Sequence, residues 1–189
     1  MRSLDQVLDA MLHDRDMLAA FMRDDRSVLQ VSDSDFEAMQ TIDRNQLTQA
    51  HQRIRSGILQ RSHRGAGSIS TLFPKTIAAW TDSPNELAAY FLASDAHAQH
   101  REVPHAGTGT CLEEAFYRFA EGRHIGDPAE REREFLHAMA RALTLSPDPA
   151  FAVPPEFQRR KEGWVGVTRR SSPTLFAATP RGLVTGPLH

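Results

Sequence analysis

The sequence predicts an α+β fold, mostly helical from the N-terminus, then a helix pair and a small C-terminal antiparallel β-sheet. Three observations carry this. Apolar residues recur at helical spacing as far as residue 145, four prolines crowd residues 147 to 155 (Pro147, Pro149, Pro154, Pro155), and beyond them the apolar period drops to two.

Leu4, Val7, Leu8, Met11 and Leu12 fall on one stripe and predict the first helix, and Met17, Leu18, Phe21 and Met22 resume it after the Asp14-Arg-Asp16 break. Ser34 with Glu37, and Asp43 with Gln46, have the spacing of capping boxes, in which two side chains satisfy each other's free amides at a helix start. From Asp43 the stripe Leu47, Ala50, Ile54, Ile58 marks a helix ending near Arg61. Pro74 suits a first helical turn, where a missing amide hydrogen costs nothing. Ser83-Pro84-Asn85-Glu86 and Asp127-Pro128-Ala129-Glu130 each place a capping side chain ahead of a proline and a glutamate at the third position, two clear helix starts. Thr110 to Glu113 opens the helix between them, with Leu112, Ala115, Phe116 and Phe119 on its buried side. The last helix carries Phe135, Leu136, Met139 and Leu143 and stops before Ser146-Pro147. After the proline-rich connector, Trp164 to Arg169 and Thr174 to Ala178 read as strands, and Leu183-Val184 as a third. The expected division is a helical domain over residues 1–108 and a domain over 109–189 that carries the helix pair and the C-terminal strands.

Composition narrows the function. At 189 residues, 40% apolar, the chain can bury a core without staples, and its single cysteine rules out an internal disulfide. The start, Met-Arg-Ser-Leu-Asp, lacks an apolar leader, so the cytoplasm is expected. The longest apolar run, Leu87 to Ala93, is far short of a membrane span. A formal net charge of −2 disfavours a dedicated nucleic-acid binder. The charge is polarised, however. Nine acids face four arginines in residues 1–40, whereas Arg159, Arg160, Lys161, Arg169, Arg170 and Arg181 face only Glu156 and Glu162 in residues 151–189. A basic C-terminal segment suits an acidic partner.

Candidate chemistry is sparse. His97-Ala-Gln-His100-Arg-Glu-Val-Pro-His105 brings three imidazoles close to Cys111, and helical spacing would let His97 and His100 share a face. A second tight ligand pair is missing, and Pro104 and Gly107 favour an irregular loop, so no metal is assigned. Gly107-Thr-Gly109-Thr110 lacks the lysine and spacing of a phosphate-binding loop and reads as a cap. Cys111 beside Leu112 reads as buried packing. With no GxSxG, HExxH or dinucleotide fingerprint, the chain is expected to have no catalytic residues of its own. The run Phe157 to Trp164 leads into a strand, and an exposed strand rim can be completed by an extended peptide whose acidic side chains the arginines select. The expected peptide-binding residues are Arg159, Arg160, Lys161, Trp164, Val165, Val167, Arg169 and Arg170.

Gln49-Ala-His-Gln-Arg-Ile-Arg55, Leu72-Phe-Pro-Lys-Thr76, Leu87-Ala-Ala-Tyr90 and Phe116-Tyr-Arg-Phe119 together resemble the N-terminal helical domain of small partner proteins of multinuclear non-haem iron oxidative enzymes. The resemblance covers about half the chain. It implies an accessory subunit in the making of ribosomally synthesised, modified peptides, with residues 1–108 as a partner-docking domain and 109–189 as a peptide-recognition, winged-helix-like domain. A larger iron-binding subunit performs the oxidation on cysteine, and this chain, with no cofactor of its own, docks there and recruits the precursor peptide. His97, His100 and His105 then become partner-interface residues instead of ligands. Two alternatives stay open: a nucleic-acid-binding regulator using Arg159 to Lys161, and a His-ligated metalloenzyme.

Overall fold

In a computed structural model of the chain, the structure describes residues 1–61, 67–102, 109–149, 151–170 and 172–188. In chain order the helices are α1 (Leu4–His13), α2 (Arg15–Met22), α3 (Arg26–Leu29), α4 (Asp33–Met39), α5 (Arg44–Gly57), α6 (Ile69–Leu72), α7 (Pro74–Ala78), α8 (Pro84–Leu92), α9 (Asp95–Glu102), α10 (Leu112–Gly122) and α11 (Pro128–Leu145). Strands β1 (Phe157–Arg160), β2 (Gly163–Val167), β3 (Thr174–Thr179) and β4 (Gly182–Pro187) follow, so the α+β class stands as expected. Among the described residues, no helix is long and apolar enough to cross a membrane.

Contacts divide the chain into two compact units, Met1–Ile58 with Asn85–Ala93, and Leu59–Pro84 with Ser94–His189. A single cut at residue 108 does not describe this, because α8 belongs with the first unit whereas α6, α7 and α9 belong with the second.

In the first unit, helix breaks are set by side chains that out-compete the helix. Ser3 and Gln6 form a reciprocal capping box at the start of α1. The Asp14 carboxylate accepts from the amides of Asp16 and Met17 at 2.8 and 3.4 Å, which ends α1 and starts α2 at one residue. At α4 the cap is Ser32, whose hydroxyl accepts from the Asp35 amide at 3.1 Å; the expected Ser34 lies inside the helix. Asp43 caps α5 as its spacing predicts. Val7, Met11, Phe21, Leu29 and Met39 are wholly buried in one cluster. Arg55 secures α8 by donating to the Asn85 carbonyl at 3.1 Å and the Glu86 carboxylate at 2.9 Å.

In the second unit, α11 packs on α10 and on β2 and β3 of the sheet. Phe73 and Phe116 meet at 5.0 Å between ring centres, and Tyr117 stacks on Phe135 at 4.3 Å. The sheet is an antiparallel meander in the order β1-β2-β3-β4, with Gln158 opposite Val165, Val165 opposite Ala177, and Ala177 opposite Val184. It has four strands where three were expected. The extra one, β1, buries only Phe157, because the rest of Phe-Gln-Arg-Arg is exposed. Alternation puts Phe157, Gly166, Phe176 and Ala178 on the buried side and leaves Val165, Val167, Leu175 and Ala177 half-buried on the outer side. Gly163 closes the β1–β2 turn at φ +143°, and a Cβ there would stand 2.0 Å from the Ala178 carbonyl oxygen.

Candidate functional site

The strand register separates the expected peptide-binding residues into two groups. Toward the core, Arg159 donates to the Pro147 carbonyl and the Asp148 carboxylate, both at 2.9 Å, and lies over the Trp164 ring. The Trp164 indole N–H donates to the same Pro147 carbonyl at 2.9 Å. Arg170 pairs with Glu121 at 2.6 Å, and its amide, with that of Arg169, is held by the Glu132 carboxylate at 2.8–3.0 Å. These bonds commit Arg159, Trp164 and Arg170 to fastening the sheet onto α10, α11 and the proline connector.

On the outer side the arrangement is open. Arg160, Val165, Val167 and Arg169 line one recess of about 250 Å³, together with Gln158 from β1 and with Pro155 and Glu156. Its lining thus joins two valines to two arginines. The Arg160 guanidinium donates to Gln158 at 2.8 Å, and neither its charge nor that of Arg169 has a carboxylate partner among the described residues. Lys161 sits exposed in the adjoining turn.

The rim expected at Trp164 to Arg170 is closed. Strand β2 is paired on both sides, to β1 and to β3, so its backbone cannot take up a further strand. The physical reason is that the basic run Gln158-Arg159-Arg160 is itself a strand folded back by the Lys161-Glu162 turn. The sheet's edges are β1 and β4, and the one beside the recess is β1.

The histidines fare differently. The segment expected to be a loop is helical through Glu102, because Ser94 opens α9 by accepting from the His97 amide at 3.2 Å and the proline and glycine lie beyond its end. His97 is 3% exposed and lies inside the fold. The half-buried His100 directs Nδ1 to the Thr110 carbonyl at 2.7 Å, which fixes that nitrogen as the protonated one and turns the ring inward. His105 lies outside the described residues. Cys111 is buried with its thiol donating to the Met139 sulfur at 3.4 Å. Burial, then the nearby Glu113 charge, pushes its pKa well up and leaves it an inert thiol at neutral pH. No group of three metal-ligating side chains is found among the described residues.

Sequence reasoning overlooked the polar residues of α11. Glu134 is buried and accepts from the Lys75 amide at 2.6 Å, the Thr76 amide at 3.1 Å and the Thr76 hydroxyl at 2.6 Å, capping α7 from a distant helix. Glu132 does the same for the β2–β3 turn. Arg131, 2% exposed, donates to the Ile125 carbonyl at 2.6 Å, where the chain leaves α10. A signal existed for Glu132: it stands three, four and seven residues before Phe135, Leu136 and Met139, on the buried stripe itself. No protein-family model, curated protein or solved structure matches this chain.

Proposed function

We propose that the chain is a binding subunit that recruits an acidic, extended stretch of a ribosomally made precursor peptide, which a larger iron-dependent oxidative partner then modifies at cysteine. The iron and the oxidation belong to that partner, and the work is placed in the cytoplasm. The single observation that carries the peptide reading is the recess of Arg160, Val165, Val167 and Arg169 beside the unpaired side of β1. A peptide laid along β1 would gain backbone hydrogen bonds, alternate side chains would reach the valines, and a carboxylate would compete only with Glu156, which lines the recess without an ion pair to either arginine. The partner and the modification are supported by the sequence resemblance alone.

The test uses a fluorescein-labelled octapeptide of alternating glutamate and valine, followed by anisotropy. Binding is expected to weaken about tenfold or more in the double variant Arg160→Glu, Arg169→Glu and to weaken with added salt. The reading is overturned if the double variant binds the peptide as wild type does. A duplex DNA of random sequence serves as competitor; displacement of the peptide by DNA at equal concentration would favour the nucleic-acid regulator instead. The iron-enzyme limb is checked separately, by whether the product of the adjacent gene is an iron-dependent barrel enzyme that copurifies with this chain.

A further inference from the structure

The second unit contains another concavity, formed where α11 faces α6, α7 and the β3–β4 side of the sheet. It measures about 390 Å³, within the roughly 300–1,000 Å³ of small-molecule clefts. Leu72, Pro74 and Phe176 give it apolar surface, while Thr71, Thr174 and Thr185 border it with hydroxyls. The His137 imidazole reaches it from α11, edge-on to Phe176 at 6.4 Å between ring centres, and neither ring nitrogen has a hydrogen-bond partner among the described residues. The sheet recess described above shares no lining residue with it.

Charged side chains of both signs border the cleft. Arg133, His137 and Arg141 follow one another at four-residue intervals on one face of α11, and Lys75 approaches from α7. Glu130 is the one carboxylate at the mouth, and it serves Lys75 at 2.7 Å and Arg133 at 2.9 Å at once. Glu134, deeper, is fully used by the start of α7. Arg141 has no carboxylate partner among the described residues. Lys75 and Arg133, both in the lining, therefore share Glu130, and Arg133 has donors to spare.

We propose that this cleft binds a small organic anion with a flat apolar body. The body lies against Phe176 and Leu72, a ring nitrogen of His137 bonds to a polar atom at its edge, and the acidic group is held at the mouth by Arg133. This site is independent of the peptide reading, since β1 and its arginines take no part in it. It gives the chain a second binding activity, toward a metabolite-sized molecule.

The probe is 1-anilinonaphthalene-8-sulfonate, compared with its uncharged counterpart N-phenyl-1-naphthylamine, each titrated into the full chain by fluorescence. The sulfonate is expected to bind saturably at one site, more tightly than the neutral dye, and to perturb the His137 ring resonances in NMR spectra. Arg133→Gln should weaken the sulfonate about tenfold while leaving the neutral dye within about twofold. Thr185→Trp, a filling substitution at an exposed strand position, should weaken both. Val184→Arg, on the opposite side of the sheet, should change neither. Non-saturable binding, sulfonate affinity untouched by Arg133→Gln, or loss on Val184→Arg instead would each overturn the proposal. If Thr185→Trp does not fold, the comparison of the two dyes in Arg133→Gln decides alone.

Discussion

Gly163 shows how a single backbone position governs which residues share a face of the sheet. Its φ of +143° lies where side-chain-bearing residues are strained, and the tight turn it closes sets Arg160 opposite it and Arg159 opposite Trp164. Because a Cβ would stand 2.0 Å from the Ala178 carbonyl oxygen, Gly163→Ala must both strain the turn and push β3 away from β2. The expected loss is ~3–4 kcal/mol, read from urea unfolding curves. A loss below about 1 kcal/mol would mean that the β1–β2 turn tolerates another geometry. Residue-scale features of this kind were partly legible. Asp14, Asp43 and Asp127 announce their helices because a capping side chain acts on amides two or three residues away. Glu132 and Glu134 act on amides 37 to 59 residues away, which no local pattern encodes.

At the level of elements, α11 ties the second unit together. One side carries Phe135, Leu136 and Met139 into the core, and the side facing the cleft carries Glu130, Arg133, Glu134 and His137. Burial in the first place, and the positive charge of Arg141 in the second, hold the His137 imidazole below its ordinary value of 6.5. In the unfolded chain that value returns, so between the two the unfolded state carries more protons. The contribution of His137 is thus fully present above pH 6.5 and is lost as pH falls through the lowered folded value. Urea midpoints taken at pH 7.5 and pH 5.5 should fall further for wild type than for His137→Gln. Equal falls would show that the imidazole titrates normally in the folded chain. Helix α11 was recognisable from its cap, its period and its proline stop. Strand β1 was not, because an edge strand with one buried residue gives no alternation to read, and Phe-Gln-Arg-Arg looks like a solvated basic run. The error propagated to the site: with β1 unread, β2 took its place as the rim.

For the molecule as a whole, the chain crosses between its two compact units three times, after Ile58, after Pro84 and after Ala93. Each unit nevertheless has its own buried aromatic residues, Phe21 and Phe36 in the first, Phe73, Phe116, Phe135 and Phe176 in the second. Sequence patterning predicted two bodies but put one boundary at residue 108, since nothing local in Pro84–Leu92 reveals which core its Leu87 and Phe91 will join. Both proposed ligand surfaces, the recess of Arg160 and Arg169 and the cleft beside His137, are built entirely from the second unit. Damage to the first core should therefore spare them. Phe21→Ala removes a wholly buried ring and is expected to cost ~3–5 kcal/mol. Hydrogen exchange should then speed up across residues 1–58 and 85–93, while amides of α11 and the sheet keep their protection and the sulfonate dye keeps its affinity. Faster exchange spread evenly through α11 and the strands would instead mean that the three crossings couple the cores into one cooperative body.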